Sequence, residues 1–240
     1  MDAILQGQRD NRLLAALAPK TFDLLRCELR SISLNAGRTL YEPGGDIDQI
    51  YFPHGGLVSL LVVAADGQCV EIATVGRDGA VGLQAGLGQR RSFTLAVTQI
   101  GGQCSVIRAD RFAGIVQNDP TLRDIIVGYI EMRWAEAEQT AACNAVHDAS
   151  ARLCRWLLQC ADRIGADEVE LTQELLGQML GVRRTTITLM AQSLQEKGYI
   201  RYRRGHIKIL DREGLKKSAC PCYMVLQHTS SQTAIGEELA

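Results

Sequence analysis

The chain has 240 residues, 46% hydrophobic and 22% charged, which is enough apolar surface for two buried cores and too much for a disordered chain. Its formal net charge is −1, and its longest nearly apolar stretch, Leu57 to Ala65, falls far short of the roughly 20 residues that a membrane helix needs. The start, M-D-A-I-L-Q-G-Q-R-D, is polar where an export signal is basic and then apolar, so the expected location is the cytoplasm, with no membrane partner.

Between Ile32 and about Ala109, short β-branched runs such as R-T-L-Y-E-P-G-G, Q-I-Y-F-P-H-G-G, L-V-S-L-L-V-V and F-T-L-A-V-T are separated by glycines. Close strand spacing with turn punctuation predicts an antiparallel barrel or roll. Pro120 opens a different texture. Through His147 there is one glycine, Gly128, and the segment is dense in Ala, Glu, Ile and Met, which predicts a long helix. Leu122, Ile125, Tyr129 and Met132 follow a 3-4 spacing that continues through Glu136 and Gln139 to Cys143 and Val146. The stripe fits a helix lying on its own barrel and equally a subunit-pairing coiled coil, and periodicity does not choose between them.

Beyond His147, placed at a hinge, A-R-L-C-R-W-L-L-Q-C-A-D-R-I predicts a second helix ending at Gly165. Thr172 is positioned to cap a third, with Glu174 favourable to its dipole and Leu175, Leu176, Met179 and Leu180 on its buried side. Gly177 leaves room for a neighbouring helix and Gly181 suits a tight turn. The next helix, about Arg183 to Glu196, buries Ile187, Met190, Ala191 and Leu194 and presents Arg184, Thr185, Thr188 and Gln192 on the other side. Gly198 ends it. Y-I-R-Y-R-R-G-H-I-K-I-L then alternates around a turn near Gly205, a β-hairpin with Arg203, Arg204, His206 and Lys208 at or near its tip. The tail from about Ser218 is short and poorly patterned.

Charge is unevenly distributed. Residues 1–150 hold 13 Lys and Arg against 17 Asp and Glu, whereas 183–217 hold 10 against 3, the footprint of a DNA-contacting module. Adjacent arginines at a helix N-terminus are repelled by its dipole unless a polyanion lies opposite. Arginine can grip guanine or phosphate bidentately, and threonine can meet phosphate or a thymine methyl, so the exposed side suits a major groove.

The run T-Q-E-L-L-G-Q-M-L-G-V-R-R-T-T-I, the following G-Y-I-R-Y-R-R-G-H-I-K-I-L-D-R-E-G-L, and the N-terminal N-A-G-R-T-L-Y-E-P-G-G-D-I-D-Q-I-Y-F-P-H-G-G resemble the Crp/Fnr family of bacterial regulators. The resemblance implies an α+β chain with a β-roll effector domain at 1–118, a dimerisation helix at 119–147, a winged helix-turn-helix at 148–217 and a tail at 218–240. It implies a homodimer on double-stranded DNA, with RNA polymerase as a further partner. Arg184 matches the family's leading recognition arginine and Thr186 its phosphate-contacting threonine; Thr185 and Leu189 depart from the base-reading pair, so the target sequence should differ. The candidate DNA-binding set is Thr172, Arg183, Arg184, Thr185, Thr186, Thr188, Gln192, Arg203, Arg204 and His206.

An effector is expected, but not cyclic AMP held in the family's usual way. Arg91 and Ser92 match the phosphate half of that pocket, while Leu83 stands where a ribose-binding glutamate is needed, and Asp78 is the only carboxylate from Ile72 to Ala109. Asp78, Arg91 and Ser92 are the effector candidates, and a rearranged cyclic-nucleotide pocket is the alternative. No cofactor, metal or catalytic residue is expected. Cys27 alone lies in the first 60 residues, too few for an N-terminal iron–sulfur cluster, and Cys220 and Cys222 with His228 lack a fourth ligand. Cys154 and Cys160 read as buried packing. A thiol redox enzyme would need closer cysteine spacing, and no Walker, Rossmann or hydrolase motif occurs.

Overall fold

A computed structural model describes residues 10–231; the polar start and the end of the tail lie outside them. Two short helices, α1 (Arg12–Ala15) and α2 (Pro19–Arg26), precede seven strands: β1 (Arg30–Leu34), β2 (Thr39–Tyr41), β3 (Gln49–Pro53), β4 (Leu57–Val63), β5 (Cys69–Val75), β6 (Leu95–Ile100) and β7 (Gly102–Arg108). They form two antiparallel sheets, ordered β1-β7-β3 and β2-β6-β4-β5. The β-branched runs fill the space between them with Ile50, Phe52, Val58, Val75, Val106 and Ile107. Helix α3 (Ala109–Asn118) closes the roll, with Phe112 packed edge-on against Phe52 at 6.2 Å.

The long helix α4 runs from Pro120 to Val146. Asp119 caps it by accepting from the Leu122 N–H at 3.1 Å, and the Thr21 hydroxyl donates to the other Asp119 oxygen at 2.7 Å. Leu122, Ile126 and Tyr129 enter the core of the roll, where the Tyr129 hydroxyl meets the backbone of Ala80. Gly79 is required there, because any Cβ would overlap the Tyr129 ring. The face carrying Leu122, Tyr129, Glu136 and Cys143 therefore packs on its own chain, and Val146, 72% exposed, leaves it. Further apolar residues, Val127, Trp134, Ala137 and Ala141, stand on the outer side, with Trp134 67% exposed, while Ile130 between them is half-buried against the roll. Of the two alternatives left by the periodicity, the predicted stripe therefore lies on its own roll over Leu122, Ile126 and Tyr129.

After His147 come α5 (Ala149–Ile164), β8 (Glu168–Glu170), α6 (Gln173–Leu180), α7 (Arg184–Glu196), β9 (Ile200–Arg203), β10 (His206–Ile209), α8 (Arg212–Ser218) and α9 (Cys222–Ser231). Leu153, Leu157, Leu158, Leu176, Ile187, Leu194, Ile207 and Leu215 make one core. Cys154 and Cys160 are fully buried in it. The region from Ser218 differs from expectation. It forms a helix whose Tyr223 is buried and donates to Asp162 at 2.8 Å, so apolar anchoring replaces a loose tail.

This core continues onto the roll, since Leu57 and Leu61 of β4 pack in it beside Trp156 and Met179. The seam is sealed by buried polar groups. Asp78 and Glu136 each pair with both Arg133 of α4 and Arg163 of α5. Nearby, buried Glu71 accepts from the Trp156 indole N–H and the Ser59 hydroxyl, each at 2.5 Å. Ser59 also lies 3.7 Å from the Met179 sulfur of α6.

Burial pushes the Glu71 carboxyl up to about 7; the Ser59 and Trp156 donors, with Arg163 and Arg155, oppose that rise. The folded protein then holds a proton that the unfolded chain releases above its ordinary value of 4.5. Stability tied to Glu71 is full below that value, falls as pH rises, and levels off above about 7, a loss of up to roughly 3 kcal/mol. Glu71→Gln keeps the neutral shape, its oxygen accepting from Trp156 and its amide donating to Ser59. Urea unfolding between pH 5 and 8 should show a stability difference between wild type and variant that changes across this window. The comparison cancels His54, whose pKa burial lowers and which works in the opposite direction. A pH-independent difference would contradict a neutral Glu71.

Candidate nucleic-acid interface

The helix pair is built as its sequence requires. Thr172 Oγ1 accepts from the Leu175 N–H at 3.2 Å, and Gly181 ends α6 in the left-handed conformation, φ +64°. At Gly177 a Cβ would press on the Val182 carbonyl, so glycine permits the tight approach of the turn. Ile187, Met190, Ala191 and Leu194 fasten α7 to the core, which leaves Arg184, Thr185, Leu189 and Gln192 exposed on one side. Arg183 is the N-cap rather than a helical residue and makes no side-chain cap, while the Thr186 N–H donates to its carbonyl at 2.9 Å, which leaves the Arg184 and Thr185 N–H groups at the exposed start of the helix.

Two expected contacts are partly used within the chain. The Thr188 hydroxyl lies 2.9 Å from Gln173 Oε1 and 3.1 Å from the Arg184 carbonyl, tying α7 to α6. Thr186 is half-buried.

The hairpin turns through Arg204 and Gly205, at φ +50° and +83°, the pair of positive angles that a two-residue type I′ turn needs. Arg203, Arg204 and Lys208 are exposed around it. A third strand, absent from the sequence expectation, completes the wing. β8 pairs with β10 and places Glu170 and Glu168 at 3.8 and 4.0 Å from His206 Nδ1. His206 therefore faces carboxylates on its own sheet, and the Arg203–Arg204 end is the cationic part.

The roll treats the three effector candidates differently. Asp78 is committed to Arg133 and Arg163; burial alone would raise its pKa, but these arginines and the Gly76 N–H hold it at about 2. Both of its oxygens are already engaged, one by the Gly76 N–H and the other by the two guanidinium groups. Ser92 is buried and donates to the Thr94 carbonyl at 2.8 Å, while Arg91 is exposed and donates to the Gly44 carbonyl at 3.2 Å. Leu83, 2% exposed, is part of the apolar core.

The cysteines also differ from expectation. Cys220 and Cys222 gather with Cys143 and His147, not with His228. The α4 periodicity makes Cys143 a stripe residue, and nothing in its spacing ties it to a C-x-C motif more than 70 residues away. Among the described residues, no helix is long and apolar enough to cross a membrane.

Two family models match in tandem, a cyclic nucleotide-binding domain over residues 31–119 and a Crp-like helix-turn-helix domain over 151–218. The chain is 29% identical over 199 residues to the transcriptional regulator SdrP of Thermus thermophilus, covering 79% of this chain and 94% of that protein. It is 23% identical over 210 residues to a CRP-like cAMP-activated global transcriptional regulator of Mycobacterium tuberculosis, covering 84% and 93%. Among solved structures, FixK2 from Bradyrhizobium japonicum shares the fold with a TM-score of 0.69 at 16% identity, over 80% of this chain and 98% of that one. With a cyclic-nucleotide-binding-type roll, a long helix and a basic winged helix-turn-helix in this order, the chain belongs to the Crp/Fnr family of DNA-binding transcriptional regulators.

Proposed function

We propose that the protein works as a homodimer, sets one copy of α7 into the major groove at each of two half-sites, and is controlled by a ligand other than cyclic AMP. The observation that carries this is the exposed set Arg184, Thr185 and Gln192 on a helix whose other side is locked into a core. Arg184 reads a base edge, Thr185 and Gln192 extend the contact along the groove, and Arg183 and Thr172 lie near the phosphates at the α7 and α6 N-termini. Thr186 and Thr188 support the helix from its flank. Arg203 and Arg204 of the wing meet the adjoining backbone, with His206 behind them. RNA polymerase is the further partner that such a regulator engages, and its work lies in the cytoplasm. The domain division at 118, 147 and 217 serves this reading, with α9 in the segment that follows the DNA-binding unit.

Arg184→Ala should weaken binding to a sequence selected from random duplexes by about 1–3 kcal/mol and relax discrimination at one position of each half-site. Because Arg184 is exposed, its circular dichroism and thermal midpoint should stay at wild-type values, and Arg123→Ala on α4 serves as a charge control. A folded Arg184→Ala protein with undiminished affinity and specificity would remove Arg184 from the interface.

The ligand claim rests on Leu83 and Asp78. A ribose hydroxyl set against Leu83 has no acceptor, a cost of about 1–3 kcal/mol, and Asp78 is held by two arginines. Calorimetric titration with cyclic AMP or cyclic GMP should give no micromolar dissociation constant. A micromolar constant abolished by Arg91→Ala would instead establish the rearranged nucleotide pocket.

A further inference from the structure

Four ligand-type side chains converge where the long helix meets the C-terminal helix. Cys143 lies in the last turn of α4 and His147 caps it, while Cys220 precedes α9 and Cys222 opens it. Their sulfur and ring-nitrogen atoms all lie within 4.8 Å of one another. Cys143 Sγ stands 3.4 Å from Cys220 Sγ, and Cys222 Sγ stands 3.5 Å from His147 Nδ1. The three cysteines are buried and His147 is half-buried.

Ordinary packing does not account for this group. Where the neighbouring cores are built from leucine, isoleucine and aromatic rings, this one consists of three cysteines with Ala151 beside them. The Gln139 amide donates to Cys222 Sγ at 3.1 Å, the kind of outer contact that steadies a metal-bound thiolate. Tetrahedral Zn²⁺, with bonds of about 2.3 Å to sulfur and about 2.0 Å to nitrogen, sets neighbouring ligand atoms roughly 3.5–3.8 Å apart. The Cys222–His147 pair, at 3.5 Å, is at that separation, and the Cys143–Cys220 pair, at 3.4 Å, is a few tenths of an ångström inside it. An iron–sulfur cluster carries its thiolates on several iron atoms and holds them further apart.

We propose that Cys143, His147, Cys220 and Cys222 form a Cys₃His centre for a single Zn²⁺. Binding displaces the thiol protons and replaces them with Zn–S bonds, without change of oxidation state. The centre ties the end of α4 to the segment that follows the winged helix-turn-helix, so both ends of the DNA-binding unit are fastened to one point. Its effect on DNA rests on the function proposed above; the metal content does not.

The test uses the full-length chain, purified under reducing conditions without chelator. Elemental mass spectrometry should find one zinc per chain. Chelator-treated protein titrated with Co²⁺ should develop thiolate charge-transfer and tetrahedral d–d bands, and both signals should vanish in Cys220→Ser/Cys222→Ser. Wild-type protein that folds and takes up neither ion would overturn the proposal, with no need for the variant to fold. A variant that keeps the ion, iron and sulfide in place of zinc, or a Cys143–Cys220 disulfide that leaves the reduced protein still unable to bind metal would overturn it too. Metal-free protein should bind a selected duplex at least about five-fold more weakly. Unchanged affinity would overturn the coupling to DNA, and a protein that binds zinc but no duplex would overturn the DNA function while supporting the centre.

Discussion

Arg163→Ala is expected to destabilise the protein by about 3–5 kcal/mol, because it leaves two carboxylates at a buried seam with a single cation between them. Arg163 donates to Glu136 at 2.5 Å and to Asp78 at 3.2 Å and also reaches the Thr74 hydroxyl; Arg133 meets Asp78 at 2.8 Å and Glu136 at 2.6 Å. Side-chain exposure is only 11% for Arg163 and 9% for Glu136, so Glu136 loses its partner where water has little access, and Asp78, at 24%, is only slightly more open. The pair Arg108–Asp110 offers the contrast. It is a close ion pair, but open to solvent on both sides, and Asp110→Ala should leave the unfolding midpoint at the wild-type value. Guanidinium unfolding at pH 7 measures both. Asp78 adds an acid signature. Its pKa is lowered to about 2, so its contribution is present above its ordinary 3.8 and is lost as pH falls through 2. A loss below about 1 kcal/mol for Arg163→Ala would mean that the seam is held by apolar contact alone.

How far the sequence reveals this molecule depends on the range of each signal. The helix-turn-helix was legible residue by residue because its determinants are local: the Thr172 cap, the Gly177 and Gly181 turn, and the i, i+3, i+4, i+7 burial from Ile187 to Leu194 all lie within one short run. The long helix was legible as a helix but not in its orientation, since both of its faces carry apolar residues. β8 was missed because Glu-Val-Glu has no alternation long enough to count, and its pairing with β10 spans 36 residues or more. α9 was missed because its anchor, Tyr223, is held by α5 rather than by a periodic face of its own. The seam and the cysteine group escaped for the same reason. Asp78 finds Arg133 and Arg163, and Cys143 finds Cys220, only after the roll and the DNA-binding unit have docked.

In the proposed dimer, the outer face of α4 is the contact that would make two recognition helices act together. Val127, Ile130, Trp134, Ala137 and Ala141 recur at 3 and 4 residues, Ile130 lying partly on the roll, and a large ring exposed at 67% with alanines one turn on suits a self-complementary contact across a two-fold axis. Dimerisation makes the second half-site encounter intramolecular, so its loss should lower affinity by about 10²–10⁴. Trp134→Glu puts a charge in that contact while leaving the core face of Leu122, Ile126 and Tyr129 untouched. The measurement is hydroxyl-radical footprinting of a selected duplex, with wild-type and Trp134→Glu proteins sized by light scattering. The wild type should be a dimer that protects two inverted half-sites about one helical turn apart, or a multiple of it, and the variant a folded monomer that protects neither at the same concentration. A monomeric wild type on a single half-site, or a dimer that protects no duplex, would contradict the account.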